Sequence, residues 1–190
     1  MQLLESFGNP KIKLDPRLWA STPAIPRPSR PRISGANEIE SLSIQSLAAV
    51  SGYTRNVQGS LPDIQLSYQV LRHDLVKMKA LLLASSAKHV HARRQTGYGT
   101  LLLLGLMANW ALTTFKIGDQ PTLESEKVFF IDEIMELAQE ASQYRPLAAS
   151  AMPGFIMAAK ETTDETDTAR RTRLEELLVL YQSDFPAAKL

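Results

Sequence analysis

From Gln95 to Phe115 the chain carries no charged side chain, and Leu101 to Leu104 are consecutive leucines. Such a stretch belongs either in a lipid bilayer or at the dry centre of a helical protein. A bilayer span needs about 20 largely apolar residues. Here the apolar density is broken by Gly97, Gly99, Thr100, Gly105, Asn109, Thr113 and Thr114. Arg93 and Arg94 precede the stretch and Lys116 follows it, so the flanking charges give little orientation bias. The expectation is a helix that begins after Gly97, ends near Gly118 and is buried on all sides, with no membrane involved. Amphipathic segments on either side must then supply its cover.

Those segments are present. After Pro62 and Asp63, residues suited to a helix's first turn, Ile64, Tyr68, Leu71, Leu75, Met78 and Leu82 recur at spacings of 4, 3, 4, 3 and 4. That is one stripe of a long helix packed against a partner. Downstream, Pro121 and Thr122 restart the chain, with Thr122 as the expected N-cap and Glu124 and Glu126 in the first turn. Val128, Ile131, Ile134, Met135, Ala138 and Ala141 mark that helix's inner face. Upstream, a helix starting near Ser34 to Asn37 would use Ile39, Leu42, Leu47 and Val50 and end at Ser51 and Gly52, before a polar loop. The apolar run Leu147 to Lys160 holds Pro153 and Gly154, which predict a kink or a break into two short helices. A final helix presents Leu174, Leu177, Leu178 and Tyr181. Almost no segment alternates like a strand. The reading is therefore all-α: an irregular array of about six or seven helices, residues 36–190, behind a proline-rich arm.

The arm, residues 1–35, carries Pro10, Pro16, Pro23, Pro26, Pro28 and Pro31, which exclude a long helix or a central strand. Leu14, Leu18 and Trp19 are its apolar anchors. Six cations against two carboxylates make it basic in a chain whose net charge is only +1. Arg27, Arg30 and Arg32 are the residues for weak nucleic-acid contact, although a solvated linker is the plainer reading.

Cysteine is absent, which removes disulfides, thiol nucleophiles and thiolate-bound metals. His89 and His91 form an H-x-H pair, but on a helix the two rings diverge by roughly 200°, so metal binding is disfavoured. With Lys88, Arg93 and Arg94 they read instead as the basic C-terminal end of a helix. His73 and Asp74 are sequence neighbours that do not face each other on a helix, and they read as a solvated surface pair. Asp132, Glu133 and Glu136 are a carboxylate cluster with no metal-binding signature around it. Gly97 and Gly99 lack the strand and the lysine of a phosphate loop. No nucleophile–base–orienter set and no cofactor fingerprint is found.

The C-terminal third carries a family resemblance. Tyr144 to Pro153 reads Tyr-Arg-Pro-Leu-Ala-Ala-Ser-Ala-Met-Pro and runs into Gly-Phe-Ile-Met-Ala-Ala-Lys160. After an acidic loop comes Arg173-Leu-Glu-Glu-Leu-Leu-Val-Leu-Tyr-Gln-Ser-Asp-Phe185. This resembles the end of the helical regulatory domain of fungal binuclear zinc-cluster transcription factors. Those proteins begin with a six-cysteine cluster that reads DNA, and a chain without cysteine cannot hold one. The resemblance implies the regulatory portion alone, in the nucleus or cytoplasm, binding a coregulator protein or a hydrophobic small molecule. Its mechanism would be a shift in helix packing, with Pro153 and Gly154 as hinge. Helices 64–82, 98–115 and 128–141 would line the ligand, with Tyr68, His73, Tyr98, Trp110, Asp132 and Tyr144 as polar or aromatic contacts. The competing reading is a small helical enzyme of secondary metabolism. It requires a closed apolar cavity in which at least two of His73, Tyr98, Asp132 and Tyr144 converge.

Overall fold

A computed structural model describes residues 39–144 and 151–182. The chain divides after Glu38 into two units, and all described residues belong to the second. The arm with Arg27, Arg30 and Arg32, the corner at Arg145 and Pro146, and the end at Phe185 lie outside the described residues.

Among the described residues there are six α-helices and no strand: α1 (Ile44–Arg55), α2 (Leu61–Leu83), α3 (Lys88–Thr114), α4 (Gln120–Ala141), α5 (Met152–Thr162) and α6 (Thr168–Gln182). Short 3-10 turns stand at Glu40–Leu42, Gln58–Ser60 and Ser142–Tyr144. Helix α3 is the hub. It packs along α2, α4 and α5, while α6 closes on α5 and α4. Leu101 and Leu102 are completely buried there. Each such leucine contributes about 1.5–3 kcal/mol through the apolar surface it hides from water. No described helix is long and apolar enough to cross a membrane.

The stripe of α2 is buried at every expected position: Ile64, Tyr68, Leu71, Leu75, Met78 and Leu82. On α4, Ile131, Ile134, Ala138 and Ala141 are buried as expected, whereas Val128 and Met135 are only partly so. Leu174, Leu177 and Tyr181 of α6 are buried, and the Tyr181 hydroxyl donates to the Ala138 carbonyl at 2.6 Å.

Several boundaries differ from the sequence expectation. Helix α3 starts at Lys88, nine residues before Gly97, and runs straight through Gly97, Gly99 and Gly105. Packing explains why glycine is tolerated in it. A methyl group at Gly99 would collide with the Phe155 ring of α5, and one at Gly105 would sit 3.0 Å from Phe130 of α4. These glycines let the neighbouring helices approach the hub. Nor is α3 buried on all sides: Thr96, Trp110 and Thr114 are exposed, with Thr100, Leu103 and Met107 half-buried between them on the same side.

The basic run Lys88 to Arg94 therefore lies at a helix N-terminus, where the dipole disfavours cations. Its expected role survives through one residue. Arg94 reaches back across the turn and donates to the Leu81 carbonyl at 2.5 Å, so it caps the C-terminus of α2 rather than of its own helix. Ser85 adds a bond to the Leu82 carbonyl at 2.6 Å. The N-cap of α4 is Asp119, not Thr122; its carboxylate accepts the Thr122 N–H at 3.3 Å. Pro153 lies in the first turn of α5, so it opens that helix instead of kinking it. Helix α1 continues past Gly52 to Arg55 and buries no residue at all.

Candidate functional site

Helices α2 and α4 both lie against α3, and polar side chains tie the three together at two levels. At the lower level the Tyr68 hydroxyl donates to Glu126 Oε2 at 2.7 Å, and Arg72 pairs with Glu126 Oε1 at 2.5 Å. Asn109 of α3 donates to the Tyr68 oxygen at 3.2 Å and to the Leu123 carbonyl at 2.8 Å. At the upper level the Tyr98 hydroxyl donates to Glu133 Oε2 at 2.7 Å, and Lys79 pairs with Glu133 Oε1. Each level holds a phenol, a carboxylate and a cation.

The electrostatics hold both phenols protonated. Burial raises the pKa of Tyr68 above the ordinary phenol value; the hydrogen bond from Asn109 opposes the rise, and Glu126 adds to it. Burial, the hydrogen bond to Glu133 and that residue's charge raise Tyr98 likewise. A phenol held protonated beside a carboxylate cannot serve as a base near neutral pH. The seam orders helices and fixes their register.

The other candidate residues scatter. His73 is exposed on α2. Its neighbour Asp74, expected to be solvated, is 1% exposed and accepts the Ser41 N–H at 2.8 Å. Asp132 is half-buried and takes a two-pronged bond from Arg170 of α6, at 2.7 and 3.1 Å. Arg170 also binds Asp167, and the two carboxylates hold the guanidinium above its ordinary pKa, Asp132 more than Asp167. Tyr144 belongs to the 3-10 turn after α4. His91 meets Glu140 at 2.9 Å while His89 is exposed. Among the described residues no group of three or more metal-ligating side chains occurs.

Of the candidates, Trp110 lines a cleft. The indole is 46% exposed and borders an open space of about 300 Å³. Leu106, Asn109, Thr113 and Thr114 of α3 form one wall. Glu124 and Lys127 of α4 form another, and Glu161, Thr162 and Asp164 at the end of α5 complete it. Lys127 donates to both Asp164 oxygens at 3.2 Å and pairs with Glu124 at 2.7 Å. Burial pulls the Lys127 pKa down, but the hydrogen bonds to those two carboxylates outweigh it and leave it above the ordinary lysine value. The Thr113 hydroxyl oxygen is buried and finds no hydrogen-bond partner among the described residues. A second cleft, of about 260 Å³, lies between α4 and α6 and includes Gln139, Arg173 and Leu180. Neither cleft gathers two of His73, Tyr98, Asp132 and Tyr144.

Sequence reading missed the carboxylates Glu126 and Glu133 as partners of Tyr68 and Tyr98. Their spacing of seven residues on one helix, facing two tyrosines on different helices, was the available signal. Lys127, Glu161 and Asp164 carried none, because only the meeting of α4 with the end of α5 gathers them. No protein-family model matches the chain, and no curated protein or solved structure is significantly similar to it.

Proposed function

We propose that this chain is a helical regulatory module of the kind that closes fungal zinc-cluster transcription factors, acting by binding a small effector or coregulator without a DNA-reading cluster of its own. The reading rests on the resemblance of residues 144–185 together with one structural observation. Of the polar residues that an enzyme would need, Tyr98 and Asp132 are spent on ties between helices and His73 is exposed on α2, while Trp110 stands half-exposed in a cleft shared by three helices.

An effector seated beside Trp110 touches α3, α4 and the end of α5 at once. Binding there favours whichever packing of those helices suits the ligand, by as much as its affinity differs between packings. The bonds from Lys127 to Asp164 are the existing tie across the same cleft, and a ligand acts on them directly.

The test uses the protein's two tryptophans. With Trp19→Phe, Trp110 becomes the sole indole reporter. A panel of metabolites and coregulator peptides is screened by thermal shift and by Trp110 emission. A ligand at ten times its Kd raises stability by about 1.4 kcal/mol, and the emission must change with the same midpoint. If no compound moves either signal, the binding-module reading falls.

A further inference from the structure

The Trp110 cleft has a charge character that narrows what it takes. Its lining sets three carboxylates, Glu124, Glu161 and Asp164, against one ammonium, Lys127. Lys127 engages Glu124 and Asp164, so the third carboxylate remains for a guest. Glu161 is exposed and makes no side-chain hydrogen bond or ion pair among the described residues. The same cleft is lined by the indole of Trp110, the side chain type whose face attracts cations best. Leu106 supplies an apolar floor.

Resting on the binding-module reading, we infer that this cleft is a site for a compact organic ammonium ion: a cationic head set between Trp110 and Glu161, with an apolar body against Leu106. Net negative charge repels carboxylate ligands, and a neutral ligand gains neither the cation–π contact nor the pairing with Glu161. A volume of about 300 Å³ suits a single ring or a short branched chain. The lysine side chain already in the cleft shows which chemistry its carboxylates accept.

Three probes of matched size separate charge from shape: cyclohexylammonium, cyclohexanol and cyclohexanecarboxylate. Each is titrated into the Trp19→Phe protein at low ionic strength while the Trp110 indole N–H resonance is followed. Cyclohexylammonium shifts that resonance with a millimolar Kd, as befits so small a ligand. The other two bind at least about tenfold more weakly, and added salt weakens the ammonium specifically. Glu161→Gln, an exposed substitution, weakens ammonium binding about three- to tenfold without changing the melting temperature. Trp110→Leu weakens it by a similar factor, read by the backbone amide of Thr113.

Equal binding of cyclohexanol, or preference for the carboxylate, overturns the ammonium assignment and leaves the cleft as a binding site for another class. Silence from all three probes, alongside a responsive metabolite in the wider panel, also overturns it while sparing the binding-module reading. Silence from both the probes and the panel removes the two together.

Discussion

Helices α1 and α4 both carry apolar residues at helical spacing, yet their fates are opposite. In α4 Phe130, Ile131, Ile134 and Leu137 are at most 3% exposed, and Glu133 and Glu126 on an adjacent side bind tyrosines of two other helices. In α1 Ile44 is 87% exposed and Leu47 41% exposed, and no residue of the helix is buried. What anchors the α1 region is its lead-in. The Ser41 N–H donates to the buried Asp74 carboxylate, and Leu42 packs on the core beside Met78 and Gly97. Tyr53 adds a contact at 3.3 Å to Ser67. The contrast teaches that an apolar stripe reports burial only when another element reaches it. Where few such contacts form, a buried carboxylate holding a backbone amide adds to the apolar contacts of Ile39, Leu42 and Tyr53 as an anchor.

The seam should be costly to cut. Glu133→Ala leaves the Tyr98 hydroxyl without its acceptor and Lys79 without its counter-charge, with an expected loss of about 2–4 kcal/mol in urea unfolding. A loss under about 0.5 kcal/mol would mean that the seam holds nothing. The same seam predicts alkaline sensitivity. Tyr68 and Tyr98 have pKa values raised in the fold, whereas in the unfolded chain they ionise near 10.0. The stability they confer is complete below that value and declines as pH rises above it. Tyr98→Phe should flatten that decline in melting temperature while lowering the stability at neutral pH.

Gln95 is the opposite kind of buried polar residue. It is fully buried, and neither its amide nitrogen nor its oxygen finds a hydrogen-bond partner among the described residues. Gln95→Met, close in shape, should therefore raise stability by about 1–2 kcal/mol, visible as a higher urea midpoint at unchanged slope. A fall would show that Gln95 is satisfied by ordered water.

Asp74→Ala tests the anchor of α1. We expect a global cost of about 1–2 kcal/mol, together with faster hydrogen exchange confined to residues 40–55. Uniformly faster exchange across all helices would refute a local anchor. Ile44→Ser should change stability by less than about 0.5 kcal/mol, since the side chain already sits in water. A larger loss would mean that something covers α1.

The class of the fold was legible in the residues themselves. Period and composition place the start of α2 at Pro62, name its buried face, and identify Leu174, Leu177 and Tyr181 as the inner side of α6, although they carry the end of α2 too far, into the basic run at Lys88 to Arg94. Those inferences rest on local geometry, because 3.6 residues per turn puts fixed spacings on one side. The uncharged stretch was expected at the centre of the array, and no described helix is long and apolar enough to cross a membrane.

Tertiary structure alone decided the rest. Whether Lys88 to Arg94 ended one helix or began the next depended on a turn closed by Arg94 reaching Leu81. Whether Asp74 met water depended on the Ser41 amide, 33 residues away. The Trp110 cleft draws on residues from 106 to 164, brought together only when α3, α4 and α5 pack. Periodicity tells each helix which side to hide, but hydrogen bonds and charges are satisfied by whatever lies across the gap, and that is set by how the helices dock.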